Sequence, residues 1–212
     1  MSKNKRIKIR EAIKQHIINN LREYIIILLI FIIGIFLGVF FINNMQDEQK
    51  NEISEYINTF ITNLKNSSEV NNLQLLKTSI AQNVVLGVAI WFFGTTVIGI
   101  PVVFGIVLYR GFCLGYTIST CITVMGLSKG LLFVIITLVL QNLIFIPAII
   151  AIAVSGFKLY KSIVKDRKVD NIKLEILRHT IFSLIMMILL IIASLVETFV
   201  STGILESTIK YF

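Results

Sequence analysis

At 212 residues, the chain is 56% hydrophobic and only 15% charged, with a mean hydropathy of +0.85. Soluble domains carry roughly 25% charged residues, and a globule this small cannot withdraw so much apolar surface from water; a disordered chain would need far less hydrophobicity. The net charge of +8 gathers in two blocks beside apolar runs, which points to juxtamembrane segments and away from nucleic acid.

Residues 1–23 hold the first block: Lys3, Lys5, Arg6, Lys8, Arg10, Lys14 and Arg22. Ile9, Ile13, Ile17 and Leu21 recur every four residues among them, predicting a basic amphipathic helix drawn to anionic lipid heads. A plain topogenic charge block is the simpler reading. The uncharged run 24–42 comes next and reads as an uncleaved first span, because it lacks the short core and small-residue cleavage site of a signal peptide. Residues 43–83 form a polar segment, followed by apolar runs at 84–109, ended by Arg110, and at 111–127, dotted with Thr and Ser. The fourth run is 130–157, the second basic block 158–180, the fifth run 181–200 with Glu197 near its end, and the tail 201–212.

Charge placement predicts the topology. With five crossings, the N-terminal block, Arg110 and the seven Lys or Arg of 158–178 all fall inside, fifteen cations against five outside. The third run is the weak point, since seventeen helical residues reach about 25 Å against a ~30 Å hydrocarbon core. If it turned back, the second basic block would lie outside, against the charge rule. The expectation is an all-α, polytopic integral membrane protein with five transmembrane helices, N-in/C-out, whose sizeable extracytoplasmic part is 43–83.

Within that outer segment Ile53, Tyr56, Ile57, Phe60, Ile61 and Leu64 fall at i, i+3, i+4, i+7, i+8 and i+11, an amphipathic helical stripe. Glu52, Glu55, Asn58, Asn63 and Lys65 occupy the other face. Asn66-Ser67-Ser68 is turn-prone and precedes a second stripe at Leu73, Leu76 and Ile80. Tyr56, Phe60, Ile61 and Leu64, flanked by Glu52 and Glu55, are the candidate partner-binding residues, as a helix face of this kind seats in an apolar groove. Packing against the protein's own spans is the competing reading.

Catalytic chemistry is not found. Gly126-Leu127-Ser128-Lys129-Gly130 has G-x-S-x-G spacing, but it joins two apolar runs rather than a strand and a helix. The two histidines, His16 and His179, sit in the basic blocks, across the bilayer from Ser128 on this topology. Neither H-E-x-x-H nor C-x-x-C occurs, and the spans hold no paired acids, so no metal or other cofactor is expected. Cys113 and Cys121 lie about 12 Å apart along one helix, too far for a mutual disulfide.

Gln141 and Asn142 lie at the centre of the fourth run, where an unpaired amide is costly. They are expected to bond neighbouring helices or backbone freed by Pro147. Glu197 carries the functional flag of any intramembrane carboxylate, tempered by a shallow position from which it reaches the headgroups or a Lys. Gly34 and Gly38 in the first span, and Gly111 and Gly115 in the third, have the spacing that lets helices approach closely. Internal packing is favoured over a homodimer.

Four strings carry a resemblance: Ile98-Gly99-Ile100-Pro101, Arg110-Gly111-Phe112-Cys113-Leu114-Gly115-Tyr116-Thr117, Gln141-Asn142-Leu143-Ile144-Phe145-Ile146-Pro147-Ala148 and Leu195-Val196-Glu197-Thr198-Phe199-Val200-Ser201. In this order, with the basic N-terminus and single outer segment, the chain resembles the stage II sporulation protein M family over essentially its whole length. The resemblance implies a non-enzymatic scaffold in the cell membrane, on the mother-cell side of the sporulation septum. Its implied partners are stage II sporulation proteins P and D, an amidase and a lytic transglycosylase that thin the septal peptidoglycan during engulfment. A transporter or permease-like subunit is the alternative, suggested by Gln141, Asn142 and the prolines Pro101 and Pro147.

Overall fold

The computed structural model describes residues 15, 17–66, 71–164 and 172–208, with the side chains at 64–66, 206 and 208 not among those described. The N-terminal residues Ile9 and Ile13, the Ser67-Ser68 patch, residues 165–171 of the second basic block and the last residues of the tail lie outside this set, as does the side chain of Leu64. Among the described residues there is helix and no strand, and five helices are long and apolar enough to cross a membrane.

Helix α1 is Leu21–Asn43 and α2 is the amphipathic Asp47–Asn66. Asp47 and Glu48 occupy the first turn of α2, where negative charge suits the helix dipole. Helix α3, Asn72–Gly94, is capped by Asn71, whose side chain accepts the Gln74 N–H at 3.1 Å. Helix α4 is Ile100–Met125. Helix α5 runs from Leu127–Val134 through a π-turn at Ile135–Val139 into Leu140–Val164. Helix α6 runs from Ile172–Leu195 through a second π-turn at Val196–Ser201 into Thr202–Thr208.

The second and third spans differ from those drawn on hydropathy. The chain turns at 95–99, inside the run 84–109, and Arg110 lies within α4 rather than in a loop. The cause is local chemistry. The Thr96 hydroxyl accepts the Gly99 N–H at 3.1 Å, and Pro101 sits in the first turn of α4, where its missing N–H costs nothing. A Cβ on Gly99 would collide with the Phe93 carbonyl oxygen and the Thr96 side chain, so only glycine closes this turn. As a result α3 takes in residues 72–83, which hydropathy alone assigns to the outer segment, and α4 is 26 residues long, ample for a crossing.

Helix α5 is the axis of the bundle. Every residue from Ala148 to Val154 is buried, as expected of a helix that is apolar all round. Ile27 and Phe31 of α1, Ile90 of α3, Val103 and Val107 of α4 and Leu190 of α6 complete the core around it. Between α1 and α4 the backbones themselves touch. Gly34 and Gly38 face Gly111 and Gly115, and a Cβ at any of the four would overlap the opposite backbone. The seam is internal and all four glycines are buried in it, leaving them no face for a second copy. At the other end of α5, Lys161 Nζ lies 2.5 Å from Glu23 Oε1 and ties it to the start of α1.

Candidate functional site

Helix periodicity brings polar side chains from four elements to one place inside the bundle. Ser79, Gln82 and Asn83 share a face of α3; Arg110, Cys113 and Thr117 share a face of α4; Gln141 and Asn142 project from α5; and Glu197 comes from α6. Together they line a cavity of about 190 Å³, closed on its apolar side by Phe31 and Phe145.

Glu197 is the hub. One of its carboxylate oxygens, Oε2, accepts from the Gln141 amide at 2.7 Å and from the Ser79 hydroxyl. The π-turns supply the geometry, because each inserts an extra residue and re-aims the side chains beyond it. Glu197 lies within the second π-turn, and Gln141 begins two residues after the first. Carbonyls loosened by the wider turns are taken up by side chains: Asn142 donates to the Leu138 oxygen at 2.8 Å, and Thr202 to the Glu197 oxygen at 3.1 Å. Thr198 and Ser201, in the same π-turn as Glu197, keep buried hydroxyls without a hydrogen-bond partner among the described residues.

Arg110 faces this hub without touching it. Its guanidinium lies 4.2 Å from the centroid of the Phe145 ring, a cation–π contact of the kind that arginine favours. Among the described residues no carboxylate lies within 4.0 Å of it, but it lines the same cavity as Glu197. A cationic and an acidic side chain thus share one half-buried chamber, whose apolar lining is Phe31, Leu114, Leu138, Phe145 and Ile146. Below them, Asn83 donates to Ser194 at 2.8 Å, and Ser194 to the Leu190 oxygen at 3.3 Å.

The structure brings Gln141, Asn142 and Glu197 together and corrects one detail. Glu197 points into the bundle rather than toward headgroups or a Lys, because the π-turn rotates it onto Gln141. Of the two alternatives for the amides, Gln141 takes the neighbouring helix, at Glu197, while Asn142 bonds the Leu138 carbonyl of its own helix; Pro147 lies exposed on the outer wall of α5. Arg110, Ser79, Asn83 and Ser194 were missed. The Gly-x-Pro start signal at Gly99–Pro101 would have moved the helix boundary and left Arg110 mid-span. His179 is buried against Ser155, with Nδ1 2.9 Å from its Oγ, about 40 Å along α5 from Ser128.

The outer stripe divides in two. Ile61 is buried with Leu205, with Ile57, Met125, Phe133 and Ile136 around them, so one edge of α2 packs on the end of the bundle and Ile61 is not a free surface. Tyr56, 75% exposed, and Phe60, 45% exposed, face outward, and Glu52 and Glu55 are exposed beside them.

Among the described residues no three His, Cys, Asp or Glu side chains gather as a metal site would require. Comparison with the curated proteins and with the solved structures returned no match. A family model described as Stage II sporulation protein M matches residues 27–202. That stretch takes in every wall of the cavity, and the chain belongs to the stage II sporulation protein M family, a sporulation-related family of multi-pass membrane proteins.

Proposed function

We propose that the protein is a non-enzymatic scaffold of the engulfment machinery, set N-in/C-out in the mother-cell membrane at the septum. There it holds stage II sporulation proteins P and D against septal peptidoglycan. The observation that carries this reading is α2: a helix outside the spans, pinned by Ile57 and Ile61 and presenting Tyr56 and Phe60 outward beside Glu52 and Glu55. Large aromatic side chains held on a rigid support, with charge at the rim, are what a docking partner buries. The positive-inside balance favours the same orientation with Arg110 removed from the count, since both basic blocks stay on one side.

Substituting Tyr56→Asp and Phe60→Asp together should abolish co-purification of the two hydrolases while membrane levels of the protein hold. Ile61→Asp should instead lower those levels, because it attacks the seat of α2. Full recovery of both hydrolases with the double variant would overturn the assignment.

The cavity supports a second reading, a permease-like subunit, because opposed charges and amides in mid-bundle resemble a solute site between discontinuous helices. Flux of a solute through proteoliposomes of the purified protein, abolished by Arg110→Leu, would favour it over the scaffold.

A further inference from the structure

A second concavity lies on the outside of the bundle. Leu21, Tyr24 and Leu28 of α1, Pro147 and Ala151 of α5 and Met186 of α6 line an apolar groove of about 850 Å³. On α5 the small residues Ala148 and Ala151 and the ring of Pro147 leave room between Ile146 and Ile150. At one end, the Phe182 wall is shared with a polar recess of about 200 Å³ bounded by Ser155, Lys158, Glu175 and Arg178. Ala151, Ser155 and Lys158 succeed one another on the same face of α5, at i, i+4 and i+7, so recess and groove form one furrow. From Ile146 to Lys158 it runs twelve helical rises, about 18 Å, against the ~15 Å of one leaflet's share of the hydrocarbon core.

The charges at the polar end are unevenly committed. Arg178 Nη1 is held by Glu175 Oε1 at 2.6 Å, and Lys161 by Glu23. Lys158 is exposed, and among the described residues no carboxylate lies within 4.0 Å of it. The flanking segment 158–178 carries seven Lys or Arg against Asp166, Asp170 and Glu175. A basic recess opening onto an apolar trough one leaflet deep matches an anionic amphiphile end to end.

We propose that this furrow is a binding site for one anionic phospholipid of the adjoining leaflet, with its phosphate on Lys158 and its acyl chain along Pro147, Ala151 and Met186. The site is independent of the scaffold reading, since it lies on a different face from Tyr56 and Phe60.

Native mass spectrometry of the full-length protein, released from vesicles of equal phosphatidylglycerol and phosphatidylcholine, tests the proposal. Phosphatidylglycerol should be retained in preference. Lys158→Gln should weaken its retention roughly fivefold and Lys158→Glu roughly twenty-five-fold, as expected for removing and then reversing one charge near the membrane surface. Ala151→Phe, which fills the floor, should reduce retention of both lipids; should it fail to fold, the exposed Lys158 variants carry the test alone. Equal retention of the two lipids, or indifference to Lys158→Glu, would overturn the proposal. So would a photoreactive residue at Met186 that links to a second copy or to another protein instead of lipid.

Discussion

The α1–α4 seam offers the sharpest test of the packing. A Cβ added at Gly38 would stand 2.6 Å from the Tyr116 backbone nitrogen, where ordinary contact begins at 3.4 Å, and closer still to the Phe112 carbonyl oxygen. The neighbour is backbone and cannot rotate away, so α1 has to retreat by about 0.8 Å or more. A gap of 0.5–1 Å forfeits roughly a quarter to a half of each dispersion contact along the seam, and overpacking of this kind costs about 1–3 kcal/mol. Gly105 is the matched control, on the exposed side of α4 with nothing within 4 Å of its Cβ position. There alanine removes a helix-weakening glycine and should be neutral or gain up to about 1 kcal/mol. Thermal denaturation of the purified protein in mild detergent should therefore rank Gly38→Ala below the parent and Gly105→Ala at or above it. Gly34→Ala, Gly111→Ala and Gly115→Ala should fall with Gly38→Ala, and pairs should be less than additive because one retreat relieves several clashes. If Gly38→Ala and Gly105→Ala are equally stable, the backbones are not in contact and the seam is wrong.

The polar hub and the topology yield two further outcomes. Glu197→Leu removes the acceptor of both Gln141 and Ser79, and interhelical hydrogen bonds in membranes average about 0.6 kcal/mol and reach about 1–2; it also strips Arg110 of its counter-charge. It should destabilise the protein in detergent more than Glu197→Gln does, and Arg110→Leu added to Glu197→Leu should restore part of the loss. A double variant no better than the single would deny the coupling between the two charges. On a Cys113→Ala, Cys121→Ala background, Tyr56→Cys should react with an impermeant thiol reagent in intact cells, and Lys158→Cys only after lysis; the reverse pattern would invert the orientation.

Fold class was legible because it rests on composition and on long apolar runs, signals that survive local error. The boundary between α3 and α4 was not, because two rules competed. A cation in an apolar stretch is ordinarily a loop residue, and that rule set Arg110 as the break. Against it stood Gly99 and Pro101, and the turn chemistry prevailed because the bundle supplies Arg110 with the Phe145 ring and a shared cavity with Glu197. The spacing of Gly34 and Gly38 is visible in one dimension, but that they meet Gly111 and Gly115 is a fact of register between two helices. In the same way, hydropathy periodicity marks the stripe on α2 without dividing it, and only the position of Leu205 and Met125 decides that Ile61 turns inward and Phe60 outward. The two π-turns leave no pattern in the residues.

How the cavity is walled bears on which function the bundle suits. A carrier that alternates its access has to move one group of helices against another around the site. Here α3, α5 and α6 are joined at two levels. Near the cavity, Asn83 bonds Ser194 and Gln141 bonds Glu197. Toward the other end Trp91 donates to Thr180 at 3.2 Å, His179 meets Ser155, and Gly94 and Gly156 pack backbone on backbone. Rocking α3 or α6 away from α5 breaks bonds at both levels at once, and the glycine contact admits no sliding that a side chain could cushion. Such a bundle is better built to hold a position than to change it. The seat of α2 draws on that stiffness, because Met125, Phe133, Ile136 and Leu205 belong to the ends of α4, α5 and α6. Whatever fixes those three helices also fixes the direction in which Tyr56 and Phe60 point.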